Sequence, residues 1–330
     1  MQQKFPLKNK FPTSSRIIYG CMGLGGGWDN NPVTPENLKL THEVVETALS
    51  VGINFFDHAD IYTFGKAEET FSQLFKTDST LREKIILQSK CCIRFADDKE
   101  VGRYDASKDY IIKSVEGSLK RLGTEYLDIL LLHRPDPLME PDEIALAFEK
   151  LKKEGKVQNF GVSNMHQGQL ALLTRSLPYP LLVNQLEMSL AKHDWVDIGT
   201  TFNDCQSRQL RFIGETIEYC RMNEIQLQAW GALANGLYTG AALCNETLDE
   251  KDHENVLNTK ALLTKLAEKY AVYADAILIA WLLRHPAGIQ PIIGTTNLSR
   301  IKSVTQALRI ELSREDWYAL YVTARGHRLP

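Results

Sequence analysis

The chain has 330 residues, 44% of them hydrophobic and 24% charged, which is enough for one large globular domain with a substantial core. A formal net charge of -3 gives no electrostatic reason to expect a nucleic acid or an anionic membrane as partner. No apolar run approaches the roughly 20 residues of a membrane span, and the basic N-terminal stretch MQQKFPLKNKFPTSS lacks the apolar segment of a secretory leader, so the default compartment is cytoplasmic.

From the N-terminus onward, short apolar runs alternate with segments of helical period. The runs are RIIYG (16–20), INFFD (53–57), IILQS (85–89), YLDILLLH (126–133), VQNFGVS (157–163), PLLVNQ (180–185), IQLQAW (225–230) and IQPIIG (289–294). Continuous apolar runs of this length fit strands buried on both faces, as in a parallel sheet. Helices are expected after Thr34-Pro35, where an N-cap precedes a proline at the first helical position, and over SKDYIIKSVEGSLKRLG, DEIALAFEKLKKEGK, KALLTKLAEKYA and ADAILIAWLLRH. Gly52, Gly123 and Gly155 stand where a helix wants a left-handed residue to end it. A closing helix begins at Ser313, with Asp316 expected to complete a capping box.

Eight strand–helix units joined by right-handed crossovers over about 250 residues or more predict a closed (β/α)8 TIM barrel, here as a single domain over 1–330. The rival is an open sheet binding a dinucleotide through G-x-G-x-x-G. It is disfavoured because Gly23, Gly25, Gly26 and Gly27 are followed by Trp28 and a loop, WDNNPVT, rather than by a helix. The stretches 91–106 and 231–255 are longer than a barrel connection needs and are candidate cleft walls. Six scattered cysteines form no CxxC, and no histidine cluster has zinc-ligand spacing, so no metal is expected. Reduced thiols are the ordinary reading, with the adjacent pair Cys91-Cys92 as a lesser redox alternative.

A barrel carries its site at the C-terminal ends of its strands. The second run ends in Asp57 with Tyr62 five residues on, the third is followed by Lys90, and the fourth ends in His133. Each residue alone has a structural explanation: a paired carboxylate, a rim tyrosine, a solvated lysine, a core histidine. Their convergence on one rim is what carries information. A phenol ionises near pH 10, and a neighbouring ammonium lowers that value while a carboxylate keeps the ammonium charged and in place. A neutral histidine then orients the substrate oxygen. None of these groups supplies electrons, so a hydride cofactor is implied.

With GCMGLGG, FFDHADIY, LHRPDP, GVSN, NQLE and IIGTTNLSRI falling in order on successive strands, the chain resembles the aldo-keto reductase superfamily over essentially its whole length, and most closely its bacterial-type oxidoreductase branch. The resemblance implies a catalytic tetrad of Tyr62 as general acid, Lys90 and Asp57 as its tuning pair, and His133 as the carbonyl-orienting group. It implies that Ser163, Asn164 and Gln185 hold the nicotinamide carboxamide and that Trp230 stacks on the ring, with Gly20, Cys21 and Met22 beside it. Gly294, Thr295, Thr296 and Arg300 match the segment that binds the adenosine 2′-phosphate, which favours NADP(H) over NAD(H). Many relatives carry Lys where this chain has Gly294, so one cationic anchor is missing.

Trp28 and Phe64 are candidates for the substrate cleft, with packing as the alternative. His58 is expected to pack under a helix, Asp128 to pair with a helix residue, and Asp60 and Arg134 to support nearby loops. The expected activity is NADPH-dependent reduction of an aldehyde or ketone to the alcohol. The alternative is a nicotinamide-binding regulatory barrel similar to potassium-channel beta subunits, and a lesser one is a cofactor-free barrel acting on a phosphorylated substrate. Partner expectations stop at a small carbonyl or alcohol, and the sequence leaves the substrate and the oligomeric state open.

Overall fold

The structure, a computed structural model, describes residues 5–206, 210–240 and 250–330. Its strands are β1 (Ile18–Gly20), β2 (Phe55–Asp57), β3 (Ile86–Cys91), β4 (Ile93–Arg94), β5 (Arg103–Tyr104), β6 (Ile129–Leu132), β7 (Phe160–Ser163), β8 (Leu181–Glu187), β9 (Gln226–Trp230) and β10 (Gln290–Ile293). All but β4 and β5 close into one parallel barrel in which chain order is also spatial order. Each of the eight apolar runs overlaps one barrel strand.

The helices are α1 (Pro35–Ser50), α2 (Lys66–Thr77), α3 (Leu81–Lys84), α4 (Lys108–Leu122), α5 (Pro141–Lys153), α6 (Gln167–Ser176), α7 (Asp194–Thr200), α8 (Thr216–Met222), α9 (Glu250–Tyr270), α10 (Ala274–Leu283), α11 (Leu298–Val304) and α12 (Arg314–Arg325). Helix α1 starts as its cap requires: Thr34 and Asn37 bond reciprocally across the first turn. At α12 only half of the expected box forms. Ser313 accepts from the Asp316 backbone, but the Asp316 carboxylate turns to Lys269 Nζ and Tyr270 Oη, both at 2.6 Å, because a cation and a phenol outbid a backbone amide.

Alternation along the strands separates two cores. One set of side chains packs outward between strands and helices. The other, Ile18, Phe55, Ile86, Ile129, Leu131, Val183 and Ile292, fills the barrel and is closed below by Phe5 and Leu7 of the N-terminal segment. Above that apolar plug, at the same inward parity, lie Gln88, Gln185 and Gln228, linked amide to amide at 2.9–3.3 Å. The site stands on this polar floor.

The glycine cluster of 23–27 has a packing reason. Gly25 has φ +81, and a Cβ there would lie 2.5 Å from the Lys66 carbonyl carbon and 2.6 Å from the Ala67 nitrogen. The loop therefore presses its backbone against the start of α2, which only glycine permits. The stretch 91–106, read as a loop, folds back as the antiparallel hairpin β4–β5, pinned by Arg94 to Glu100 and Asp105. No helix of the described residues is long and apolar enough to cross a membrane.

Candidate active site

Register brings the four candidate residues together. Gly20 lies opposite Asp57, and Asp57 lies opposite Gln88, so Lys90, two residues further along β3, rises on the same inward face. Lys90 is fully buried and its ammonium has three acceptors, each at 2.8 Å: Asp57 Oδ2, the His58 carbonyl and Tyr62 Oη. The other Asp57 oxygen accepts from Gln88 Nε2 at 2.6 Å and Gln185 Nε2 at 3.3 Å. His133 presents its ring to Tyr62 at 6.0 Å between centroids, nearly perpendicular. Tyr62 sits at the start of a turn whose next two residues, Thr63 and Phe64, both have positive φ. Thr63 Oγ1 donates to the Leu24 carbonyl and so anchors that turn to the glycine loop.

Burial decides the protonation states. It pushes the Tyr62 phenol above its ordinary value, and the Lys90 ammonium pulls it down by less. The expectation of a net lowering is therefore corrected: the depth of the site outweighs the lysine, and the phenol keeps its proton at neutral pH. Burial also works against the Lys90 ammonium, but attraction from Asp57 and Tyr62 exceeds it, and the amine is held above its usual range. The His133 imidazole is driven well below its ordinary value by burial, then by Lys90 and Arg134, and stays neutral. The site at pH 7 is thus a charged lysine between a carboxylate and a phenol that still has a proton to give.

The residues matched to the cofactor lie along the same rim. Trp230 Nε1 donates to Asn164 Oδ1 at 3.1 Å, and Asn164 Nδ2 donates to Ser163 Oγ at 2.8 Å and to the His133 carbonyl at 3.2 Å. Asn164 adopts φ +58, a conformation asparagine tolerates better than most residues. Gln185 belongs to another group, for its Nε2 is turned down to Asp57 and Gln228. Gly20 ends β1 and Cys21 and Met22 follow it, with Cys21 buried and Met22 half exposed. Across from them, Gly294 to Thr296 follow β10: a Cβ on Gly23 would stand 3.4 Å from both the Gly294 carbonyl and Thr296 Cγ2, and Tyr19 Oη donates to the Thr295 carbonyl. Arg300 lies apart from the tetrad, bonded to the Thr239 carbonyl and 3.6 Å from Asp275.

Trp28 and Phe64 are half exposed and meet edge to face at 5.8 Å. Sequence reasoning missed the third ring of this cluster, Phe95 on the hairpin, 5.2 Å from Phe64 and 6.3 Å from Trp28. It also missed Gln88 and Gln228, although inward parity with Lys90 and Trp230 was a usable signal. Beside the cluster a cavity of about 470 Å³ is lined by Asp60, Phe95, Tyr110, Lys113 and Arg121. A second cavity, about 1010 Å³, opens on the barrel flank between Trp195, Ile217, His285 and Trp317 and shares no residue with the tetrad.

The remaining assignments follow their environments. Asp128 pairs with Arg82 of α3 at 2.9 Å. Asp60 accepts from Ser114 of α4, and burial pushes its carboxyl up to about 7. Arg134 lies 6.0 Å over the Trp230 ring. The five described cysteines are free, Cys91 and Cys92 among them. Cys244 lies outside the described residues.

His58 is fully buried against Phe71 of α2 at 4.7 Å, as expected, and burial followed by Lys90 lowers its pKa to about 3. The unfolded chain takes up this proton near pH 6.5 but the folded chain only near 3, so stability falls as pH drops between those values. His58→Leu should flatten the dependence by about 1.4 kcal/mol per pH unit across that window. Urea unfolding of both proteins at pH 4, 5, 6 and 7 checks this, and parallel curves would refute it.

Sequence and structure comparisons agree with this architecture. Residues 16–321 match the family model for the Aldo/keto reductase family. The chain is 34% identical to 6-dehydroglucose reductase of Agrobacterium fabrum, with 98% of each chain covered, and 35% identical to oxidoreductase YdhF of Escherichia coli over the full length of both. The fold is similar to that of glycerol dehydrogenase from Gluconobacter oxydans (TM-score 0.75, 24% identity, 95% of this chain and 92% of that one). It is also similar to an aldo-keto reductase of Klebsiella pneumoniae solved with NADPH (TM-score 0.72, 24% identity, 96% and 95%). With the barrel, the strand-end site and the family model in accord over nearly the whole chain, this protein is an oxidoreductase that belongs to the aldo/keto reductase family.

Proposed function

We propose that the protein reduces an aldehyde or ketone to the alcohol with NADPH as electron donor and Tyr62 as the acid. The observation that carries this reading is the Tyr62 hydroxyl 2.8 Å from a fully buried Lys90 ammonium, with the His133 ring facing it. The bound dinucleotide supplies the hydride. The chain does the rest. Tyr62 gives its phenolic proton to the carbonyl oxygen, Lys90 stabilises the phenolate left behind, and Asp57 keeps Lys90 charged and aimed. His133, neutral, bonds the carbonyl oxygen and sets its approach to the phenol.

The residues present fit a nicotinamide dinucleotide. Trp230 is an aromatic surface fixed by Asn164 on one side and Arg134 on the other. Ser163 and Asn164 present amide and hydroxyl groups beside it. The glycines at 20, 23 and 294 keep the ends of β1 and β10 free of side chains; a Cβ on Gly20 would press within 2.9 Å of Ile292. Arg300 offers a guanidinium to a phosphate.

Titrating the protein with NADPH and with NADH, read by tryptophan fluorescence, tests the reading. 4-Nitrobenzaldehyde and a sugar carrying an aldehyde at C6 are then added to the bound complex; the second follows from two relatives a third identical that are named 6-dehydroglucose reductase. Quenching followed by loss of absorbance at 340 nm supports the reductase. Saturable binding with no turnover over a broad carbonyl panel favours the regulatory barrel. Failure to bind either nucleotide overturns both.

A further inference from the structure

Arg300 is not a free guanidinium. Its Nη2 donates to the Thr239 carbonyl, and its Nε lies 3.6 Å from Asp275 Oδ2. Asp275 stands in the first turn of α10 and is only 7% exposed. Among the described residues Arg300 is the one cation within ion-pair distance of it, and the second carboxylate oxygen, Oδ1, is buried with no donor. A buried carboxylate with a single partner holds that partner strongly, because leaving it unpaired would expose the full cost of desolvation.

Arg recognises phosphate best through a fork of two parallel N–H groups, and the Nε/Nη2 edge is one such fork. Here one nitrogen of that edge, Nη2, donates to the Thr239 carbonyl, and the other, Nε, faces the Asp275 carboxylate at ion-pair range, 3.6 Å away. Among the described residues Asp275 offsets the charge of Arg300, and Gly294 adds no cation. A 2′-phosphate, carrying about -1.5 to -2, meets a guanidinium already half spent and a carboxylate behind it. A 2′-hydroxyl has no charge and meets no such repulsion.

Resting on the reading that Arg300 receives the adenosine end of the dinucleotide, we propose that Asp275 is a specificity-determining residue that restrains the preference for NADP(H) over NAD(H). It does so by offsetting the Arg300 charge across the 3.6 Å ion pair and by repelling the phosphate. The wild-type protein accordingly binds the two dinucleotides with a modest ratio, below about tenfold, and the aspartate sets that ratio.

The test is calorimetric titration with NADP+ and with NAD+, without substrate, in wild type and Asp275→Asn. The amide keeps the volume and removes the charge. The Kd ratio of NAD+ to NADP+ should rise at least fivefold in the variant, through tighter NADP+ binding, with NAD+ affinity changed less than twofold. Asp275→Ala, which suits a helix turn, gives the same readout if the amide variant folds poorly. A ratio within twofold of wild type, with both dinucleotides still binding, overturns the role of Asp275 and leaves the cofactor reading intact. Binding of neither dinucleotide by wild type overturns both.

Discussion

Tyr62→Phe should lower kcat for carbonyl reduction by roughly 10²- to 10⁴-fold, the usual worth of a positioned general acid, while the Kd for NADPH stays within about twofold. The substitution deletes one oxygen and one proton. The ring keeps its place between His133 and the Lys90 ammonium, which also lies 4.7 Å from the ring centroid. A loss confined to kcat would identify the phenol as the proton source, and not as a mere wall of the cleft. Single-turnover rates with saturating NADPH are the measurement, and a drop smaller than tenfold would mean that another group or water delivers the proton. The direction of the Tyr62 shift adds a second mark. A buried phenol that keeps its proton through neutral pH should give a reduction rate that is flat from about pH 6 to 8 and falls only in alkali, as the acid is titrated away.

Lys90→Met should destabilise the fold by about 3–5 kcal/mol as well as abolish turnover, because it strands a buried carboxylate. Asp57 is 2% exposed, and without Lys90 its remaining support is two neutral amide donors, Gln88 and Gln185. The double variant Asp57→Asn with Lys90→Met removes both charges together and should regain most of the lost stability without regaining activity. Urea midpoints of the single and double variants separate the two costs. If Lys90→Met unfolds within about 1 kcal/mol of wild type, the pair is solvated to a degree that its burial denies.

The barrel was legible because strands covered on both faces read as unbroken apolar runs, and the tetrad because Asp57, Lys90 and His133 interrupt such runs at one end. What the sequence hid has physical reasons. The hairpin that carries Phe95 consists of two-residue strands on either side of a polar stretch, ADDKEVG, too short for any period to show. Helix α2 also went unread, and with it the contact that makes Gly25 necessary and the ring under which His58 packs. Asp316 could be placed three residues from a serine, but its choice of Tyr270 and Lys269 over the backbone depends on a helix 46 positions away. The sign of the Tyr62 shift depends on how deep the phenol lies, and a list of neighbours does not contain depth.

Lys90 also says what kind of barrel this is not. An ammonium has three protons to donate, and all three are taken, by a carboxylate, a carbonyl and a phenol from one six-residue stretch, 57–62. A lysine that attacks a carbonyl must be neutral, with a lone pair and room to swing. This one is held in its charged form and tethered at every proton. Imine formation, the route by which other barrels turn a strand-end lysine into a nucleophile, is therefore closed to this site. The lysine is held still, and on the proposed reading a carbonyl at this site meets a protonated phenol and not a free amine.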